Sequence, residues 1–429
     1  MKSFLKVAKV SFMVMVCALF LGIGMKAEAA PGAVTNLRQT KDDVDAVQVE
    51  WAAPQDVKTY QFEWCENAQF QGSTYKSAKP ESYTNSFAII SGLLPGKTYY
   101  VKVTAFDSTG AAGTASAPIE VVTTPSDTMK VTGVKQTNAM EKGIAMSWNQ
   151  FAGANLYVAQ YRVYGTQTIK DVETAGNSAT ISSLAVDTPY VVTVLPARRS
   201  SAGYTAYGYN GSASTSVMAY TLPKKITNLK FLQGGIGNKS SAAWAKFQYN
   251  YNGKVATGLE YTIYGNNGKK LFTGTTTAYT FTTKNKKLTN TQFLKIKART
   301  YFVLNGQKKY GPYSDDCWFA RFPSGVKAKK AGNMAADGVK VTWKKMKGAK
   351  NYTVYISTSP GGGYKKVTTT SKTSCTIKKC RGAKFVSGRS YYYRVVANTK
   401  KKVGKKTKSF KSDGTVYGSF RFTTRYVYR

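Results

Sequence analysis

The sequence predicts an all-β chain folded into four tandem antiparallel β-sandwiches. A length of 429 residues is too long for one sandwich and suits three or four domains of ordinary size. Four tryptophans recur at intervals of 97, 96 and 99 residues. Each lies in a segment where apolar residues tend to alternate with polar ones, the period of a half-buried strand. These tryptophans, Trp51, Trp148, Trp244 and Trp343, therefore mark four copies of one unit.

Residues 1–29 have the pattern of a secretory signal peptide. Three lysines precede an apolar run at residues 10–25, which is shorter than the roughly 20 residues of a membrane-spanning helix. The run leads to Ala27-Glu28-Ala29, a small-x-small cleavage pattern. We expect an exported chain, cleaved after Ala29 and then without a stable membrane span. An uncleaved N-terminal anchor is the alternative.

The first mature repeat carries the most specific pattern. A tryptophan strand is followed by a strand containing tyrosine, and later by L-L-P-G-K-T-Y-Y-V-K-V-T-A at residues 93–105. This combination, within a unit of about a hundred residues, resembles the fibronectin type III domain. The resemblance implies an immunoglobulin-like sandwich of seven strands. It also implies that Tyr99, Tyr190 and Tyr391 are tyrosine-corner residues, whose hydroxyls bond back to the backbone.

Proline-containing segments at residues 124–126, 222–224 and 322–324 divide the repeats, because proline readily ends a strand. The predicted organisation is a signal peptide at 1–29, a fibronectin type III domain at 30–125 and a similar domain at 126–223. A divergent domain at 224–323 and a highly basic domain at 324–429 complete it. The third repeat lacks a tyrosine at the corner position, which leaves its strand register open.

Basic residues are concentrated in the second half of the chain. Residues 30–125 have a net charge of −3 and residues 126–223 of +2, whereas residues 224–323 reach +14. Residues 324–429 carry 27 basic and 2 acidic side chains, a net charge of +25. An asymmetry of this size predicts that the basic end binds an anionic partner. A merely solubilising lysine-rich surface is the simpler alternative.

Two lysine clusters of the fourth repeat are predicted to meet. One follows Trp343 in the connection between the second and third strands, and the other precedes the last strand. In the resembled fold these two connections lie at the same pole of the sandwich. The predicted polyanion-binding residues are Lys344, Lys345, Lys347, Lys350, Lys400, Lys401, Lys402, Lys405, Lys406, Lys408 and Lys411. Further basic residues at 378–389 belong to the opposite pole, so the charge is dispersed over the domain.

Four cysteines lie outside the signal segment, Cys65, Cys317, Cys375 and Cys380. So few for 400 residues do not indicate a disulfide framework. Cys375 and Cys380 are close enough to close a small loop, and whether they are bridged is left open. No C-x-x-C occurs, so a zinc site is not expected.

The composition excludes several classes of function. The chain has no histidine, which rules out histidine-dependent catalytic groups and histidine-ligated metal sites. The second half has only five acidic residues, without a spacing typical of paired catalytic carboxylates. We therefore expect no cofactor and no enzyme activity.

The expected function is a secreted binding or adhesion protein associated with the cell surface by noncovalent attraction. Its basic half would dock on an anionic cell-wall or extracellular polymer such as teichoic acid, with nucleic acid and glycosaminoglycan as competitors. The first two domains would face an unknown protein or glycan partner, with Tyr204, Tyr207, Tyr209, Arg198 and Arg199 as a candidate patch. A spacer or structural subunit that binds an acidic protein is the alternative, and a polysaccharide-acting enzyme is less favoured.

Overall fold

The computed structural model describes residues 30–429 apart from 73–74, 79–80, 84–85, 127, 209–212, 236–242, 266, 289–292, 321–328, 330–333, 336–337, 347, 404, 413–417 and 424–429. The predicted signal peptide, the boundary at 322–324, Tyr209 and Lys347 lie outside the described residues. Within these described ranges almost all regular structure is β, with a short 3-10 turn at Lys286–Leu288. Among the described residues no helix is long and apolar enough to cross a bilayer.

The first two domains are antiparallel sandwiches. Domain 1 contains β1 (Thr35–Asp42), β2 (Ala46–Ala52), β3 (Thr59–Cys65), β4 (Lys76–Ser77), β5 (Phe87–Ser91), β6 (Thr98–Phe106) and β7 (Ile119–Val122). Domain 2 contains β8 (Lys135–Met140), β9 (Gly143–Ser147), β10 (Leu156–Val163), β11 (Lys170–Thr174), β12 (Ser178–Ile181), β13 (Pro189–Arg199), β14 (Thr205–Tyr207) and β15 (Val217–Tyr220). Their sheet orders are β1-β2-β5 with β4-β3-β6-β7, and β8-β9-β12 with β11-β10-β13-β14, where β15 also pairs with β13.

The last two domains repeat this order. Domain 3 contains β16 (Thr227–Gly235), β17 (Trp244–Asn250), β18 (Gly258–Tyr264), β19 (Lys270–Thr276), β20 (Thr280–Lys284), β21 (Phe293–Leu304), β22 (Gln307–Tyr310) and β23 (Cys317–Ala320). Domain 4 contains β24 (Met334–Ala335), β25 (Gly338–Thr342), β26 (Asn351–Ser357), β27 (Lys365–Thr370), β28 (Ser374–Ile377), β29 (Lys379–Cys380), β30 (Ala383–Lys384), β31 (Ser390–Val403), β32 (Lys406–Lys411) and β33 (Gly418–Arg421). The orders are β16-β17-β20 with β19-β18-β21-β22, and β24-β25-β28 with β27-β26-β31-β32; β23 and β33 also pair with β21 and β31, and β29 pairs with β30.

Each sandwich has its own apolar core, built largely by alternation of buried and exposed residues along the strands. In β2, for example, Val47, Val49 and Trp51 are buried while the residues between them are partly exposed. Their inward side chains pack against the facing sheet, where Val101 and Val103 of β6 are fully buried. Two sheets with alternating faces and a shared core are a β-sandwich. The predicted all-β fold of tandem sandwiches is confirmed.

Three of the four tryptophans lie in these cores. Trp51, Trp148 and Trp343 are 4%, 3% and 1% exposed. Each packs edge-on or tilted against a tyrosine of the next strand at a ring distance of about 5.0 to 5.5 Å. Aromatic pairs in these arrangements contribute about 0.5–1.5 kcal/mol beyond the area they bury.

The structure corrects the predicted place of Trp244. This residue begins β17, is half-buried, and lies over Gly235 outside the core of domain 3. Tyr249 occupies the position that the tryptophan has in the other domains. Its amide donates to Tyr279 O, which matches the bond from the Trp51 amide to Ser86 O in domain 1. Side chains of a strand alternate between its two faces. Tyr249 is buried on the inward face, so Trp244, five positions earlier, lies on the opposite face.

The tyrosine-corner residues bond back to the chain. The hydroxyls of Tyr99, Tyr190 and Tyr391 accept hydrogen bonds from the amides of Leu94, Ala185 and Val386 at 3.0, 2.9 and 3.0 Å. All three side chains are buried. In domain 3 the corresponding position of β21 is Leu294, which is fully buried and makes the same strand pairing without the hydroxyl. The register of this domain is thus regular despite its divergent sequence.

Replacing Tyr391 by phenylalanine is expected to destabilise domain 4 by about 1–2 kcal/mol. The substitution keeps the ring and leaves the Val386 amide without its acceptor. Thermal unfolding of the full chain followed by calorimetry measures the loss. Tyr392→Phe, at the neighbouring half-buried position, is the matched control and should leave the transition in place. Equal melting temperatures for Tyr391→Phe and Tyr392→Phe would show that the hydrogen bond from the Val386 amide to the Tyr391 hydroxyl does not stabilise the domain.

A serine recurs in all four domains at the point where the last strand breaks into two parts. The hydroxyl oxygens accept from, and the serine amides donate to, the backbone of Val103, Val194, Ala298 and Ala397. These serines are Ser116, Ser214, Ser314 and Ser412. Each satisfies two buried backbone groups where the ladder is interrupted, which keeps the split edge folded.

Domains 1 and 2 contact each other through specific polar groups. The Arg198 guanidinium donates to Thr98 Oγ1 at 2.8 and 2.9 Å, and the Tyr204 hydroxyl donates to Asp42 Oδ1 at 2.7 Å. Burial and the bond to Asp42 raise the pKa of Tyr204 above its ordinary value. The candidate ligand patch around Tyr204 is therefore in large part an interface between domains.

The junction of domains 2 and 3 contains a buried carboxylate. Asp187 is 4% exposed and accepts from the Tyr251 hydroxyl at 2.7 Å and from the amides of Lys254 and Val255 at 3.2 and 3.0 Å. Beside it Val255 packs in an apolar cluster with Phe302. Hydrogen bonds and apolar contact together fix the angle between the two domains.

The buried Tyr249 and the half-buried Tyr204 and Tyr251 predict that stability falls at alkaline pH. Burial and the nearby Tyr279 raise the pKa of Tyr249 to about 12, and burial with an aspartate bond raises the pKa of Tyr204 and Tyr251. Their folded pKa values exceed the unfolded value of about 10, so the folded chain holds protons that the unfolded chain loses. Their stabilising effect is complete below pH 10 and declines above it, and the part from Tyr249 is lost as pH rises through about 12.

Tyrosinate absorbance during an alkaline titration checks this expectation. A fraction of the phenols should ionise only together with unfolding, and that fraction should shrink in a Tyr249→Phe variant. Ionisation of every tyrosine near pH 10 in the folded chain would be the opposite result.

Candidate polyanion-binding site

The second predicted lysine cluster forms a β-hairpin rather than a loop. β31 runs on to Val403 and pairs with β32 from Val403↔Lys406 to Asn398↔Lys411. The predicted connection before the last strand is thus itself a regular ladder that continues beyond the sandwich. Lys400, Lys401 and Lys402 lie on one strand, Lys406, Lys408 and Lys411 on the other, and Lys405 in the turn.

The hairpin divides its lysines between two faces. Residues directly opposite in an antiparallel pair share a face, and neighbours along a strand alternate. Asn398 with Lys411, Lys400 with Ser409, and Lys402 with Thr407 occupy one face, whose lysines are exposed. Lys401 with Lys408 and Thr399 with Phe410 occupy the other.

The face with Lys400 and Lys411, called the outer face, joins the first lysine cluster in a groove of about 380 Å³, which Thr399 and Phe410 of the other, inner face border. The Lys350 amide donates to Asn398 O at 2.8 Å, which ties the connection between β25 and β26 to the hairpin. The groove is lined by Lys350, Asn351, Asn398, Thr399, Lys400, Ser409, Phe410 and Lys411. Three lysines, several uncharged polar groups and one ring thus converge from two distant parts of the sequence.

The floor of this groove is held rigidly. Asn398 donates from Nδ2 to Asn351 Oδ1 at 3.0 Å and to Thr353 Oγ1 at 2.9 Å. Ser412 satisfies the adjacent Ala397 amide. Lysine side chains on a fixed floor present their charges at fixed spacing, which suits repeated anionic groups.

The inner face docks on domain 3, and Lys401 is therefore placed away from the groove. Its Nζ lies 4.8 Å from the Phe293 ring centre and 5.7 Å from that of Trp318. Phe410 packs on Phe293 at 5.7 Å. Burial lowers the pKa of Lys401, whose Nζ has no hydrogen-bond partner among the described residues. The cation binds aromatic rings of the same chain rather than facing an external polymer.

The remaining predicted lysines have simpler surroundings. Lys344 and Lys345 are exposed before the buried Met346 and do not line the groove, and Lys402, Lys405 and Lys408 are exposed on the hairpin. Only the backbone of Lys406 is described, and Lys347 lies outside the described residues. At the opposite pole Lys379 and Lys384 face each other on the hairpin of β29 and β30. The charge of domain 4 thus covers both poles.

The cysteines are the sequence's candidates for a disulfide or a metal site. Cys65, Cys317, Cys375 and Cys380 are thiols, not disulfides, and burial raises the pKa of Cys375 to about 11. Where the structure describes the chain, no three acidic or sulfur side chains gather into a possible metal site.

Comparison with known proteins identifies the fold family of the first domain. The Fibronectin type III domain family matches residues 32–122. Domains 2 to 4 repeat the strand order of this domain. Residues 32–122 thus form a fibronectin type III domain.

Similar proteins cover different parts of the chain. Chitinase A1 of Niallia circulans is 32% identical over an alignment of 173 residues, and the match covers 38% of this chain and 23% of the chitinase. The FN1–FN3 domains of chicken CNTN1 are 17% identical with a TM-score of 0.28, covering 68% of this chain and 99% of that one. A two-domain fibronectin type III segment of chicken tenascin is 13% identical with a TM-score of 0.22, covering 44% and 98%. The chain spans less than a quarter of the chitinase.

Proposed function

We propose that this chain is a secreted, non-catalytic binding protein whose fourth domain attaches to teichoic acid through the lysine groove. The observation that carries the proposal is the convergence of Lys350, Lys400 and Lys411 on one groove of a domain with a net charge of +25. A phosphate polymer supplies the opposite charge at regular intervals. Lysine, a compact point charge, suits diffuse attraction to phosphates better than bidentate recognition.

Binding to a polyanion would also offset the charge repulsion within domain 4. Twenty-seven basic side chains on about a hundred residues repel one another and destabilise the folded domain. Binding to a polymer that is itself surrounded by condensed counterions relieves this repulsion and releases those ions. The predicted signal peptide and the match to an enzyme named for a polysaccharide support an extracellular, glycan-rich setting.

The contacts between domains also support a spacer role for domains 1 to 3 within the proposed binding protein. Domains 1 to 3 are joined by named hydrogen bonds at both junctions, so they would hold a partner-binding end at a fixed distance from the anchoring groove. A partner for domains 1 and 2 remains a protein or glycan of unspecified identity.

Glycosidase activity is less favoured by the available carboxylates. Burial opposes ionisation of Glu260, but hydrogen bonds from Tyr310 and Arg299 lower its pKa below the ordinary value. A general acid needs a raised pKa instead. Asp316 is likewise paired with Lys295 and Lys297.

Cosedimentation of the full mature chain with Gram-positive walls tests the proposal. Walls that retain teichoic acid should bind the protein at about 50 mM salt, and binding should fall steeply by about 200 mM. Walls stripped of teichoic acid should bind little. Equal binding to both preparations, or binding indifferent to salt, would favour a protein partner or a spacer role alone.

A further inference from the structure

The outer face of one sheet in domain 3 carries a row of cations stacked on aromatic rings. Along β21 the outward residues Lys295, Lys297 and Arg299 follow one another on alternate positions. The neighbouring strand segments supply Tyr310, Tyr313 and Trp318. These six residues are called the cation-aromatic face.

The contacts within this face are close and ordered. The Arg299 guanidinium lies 3.5 Å from the Tyr310 ring centre and 4.6 Å from that of Tyr313. Lys295 Nζ lies 5.7 Å from the ring centre of Trp318 and 5.0 Å from that of Tyr264. Strand pairing fixes the backbone, so the rings are held in place before any ligand arrives.

Carboxylates set this face apart from the lysine groove. Asp316 pairs with Lys295 at 3.2 Å and Lys297 at 3.4 Å, and Glu260 pairs with Arg299 at 2.9 Å. Three cations beside two carboxylates leave little net attraction for phosphate. The face instead offers ring surface together with donors and acceptors of hydrogen bonds, which suits an uncharged, hydroxyl-bearing group.

The face is continuous with the hairpin that carries the groove. Phe293 begins β21, and its ring contacts the Phe410 ring and the Lys401 ammonium of domain 4. Trp318 is shared, because its ring centre lies 5.7 Å from both Lys295 Nζ and Lys401 Nζ. The hairpin thus carries the groove on its outer face and meets the cation-aromatic face with its inner face, so one extended polymer that passes over the hairpin could contact both.

We infer that the cation-aromatic face binds the sugar substituents of the polymer whose phosphates occupy the lysine groove. The inference rests on the proposed function and adds the chemical class of the ligand, a glycosylated polyol phosphate. The apolar side of a sugar ring packs on the exposed parts of the tyrosines, and its hydroxyls bond to the paired charges. Tyr313, which is 40% exposed, offers the most accessible ring.

The test compares binding of two probes to the full mature chain. The probes are poly(glycerol phosphate) teichoic acids of equal length, one with sugar substituents and one without. The unmodified protein should bind the glycosylated probe about 2- to 10-fold more tightly. Tyr313→Ala should abolish this preference while leaving affinity for the bare probe unchanged, and Tyr313→Leu should do the same with the side-chain bulk retained. Tyr164→Ala, which removes a 63% exposed tyrosine of domain 2, is the matched control.

Each outcome decides the inference. Equal, salt-sensitive binding of both probes by the unmodified protein would overturn the sugar site and leave the proposed function in place. A preference retained in both Tyr313 variants would show that the row of rings only stiffens the sheet. Tighter binding of a single-stranded oligonucleotide with the same number of phosphates would replace sugar by bases as the stacked group. If neither probe bound, or if both bound independently of salt, the proposed attachment to teichoic acid would be wrong, and so would the sugar site that rests on it.

Discussion

Replacing Asp187 by alanine is expected to destabilise the pair of domains 2 and 3 by about 3–5 kcal/mol. The change removes the acceptor of the Tyr251 hydroxyl and of two backbone amides at a buried junction. A buried donor left without an acceptor costs about 1–3 kcal/mol, and bonds to a charged acceptor are stronger than neutral ones. Alanine also tolerates the positive φ of 57° at this position less well than aspartate.

Differential scanning calorimetry of the full chain measures the effect. For a unit of about 200 residues the transition should move down by roughly 10 °C. Asp187→Asn keeps the side-chain shape and suits the left-handed backbone, so its loss should be smaller. Asp171→Ala removes an exposed carboxylate from the same domain and should change little. Coincident transitions for Asp187→Ala and Asp171→Ala would mean that the junction carries no stability.

Changing Lys350, Lys400 and Lys411 together to glutamine is expected to lower affinity for teichoic acid by about 100-fold at low salt. A lysine near an anionic surface contributes on the order of 1 kcal/mol, and all three line one groove. The substitutions remove the charge but keep a polar side chain, and the groove floor does not depend on these lysine side chains. Titration of labelled polymer by fluorescence anisotropy measures the loss.

A second triple variant removes the same charge elsewhere. Lys379 and Lys384 lie on the hairpin at the opposite pole, and Lys365 pairs with Ile356 at the end of β26 away from the groove. Their replacement by glutamine should lower affinity less than about 10-fold. Equal losses in the two variants would show that total charge, and not the groove, determines binding.

The repeat could be read from the sequence because it is expressed in local alternation. Period-two segments, regularly spaced tryptophans and the corner tyrosines are all properties of single strands and their nearest connections. The core position predicted for Trp244 was wrong, because the spacing of tryptophans does not show which alternate residues of a strand face the core. The buried residues Phe247 and Tyr249 show the inward face only when both sheets are present.

The groove could be anticipated in part, whereas the contacts between domains could not. The resemblance to a known sandwich brought the two lysine clusters to one pole, but the hairpin faces that separate Lys400 from Lys401 depend on strand pairing. Arg198 and Asp187 bond to residues 100 and 64 positions away, across domain junctions. No local pattern encodes such pairs, because they depend on the angle at which whole domains meet.

The dependence of binding on salt tests the central claim most directly. The logarithm of the association constant for teichoic acid, plotted against the logarithm of salt concentration, has a slope that reflects the number of phosphate contacts. The unmodified chain should give a steep negative slope, and the variant lacking Lys350, Lys400 and Lys411 a slope shallower by roughly 2 to 3. An identical slope for both proteins would contradict the assignment of the groove as the polyanion-binding site.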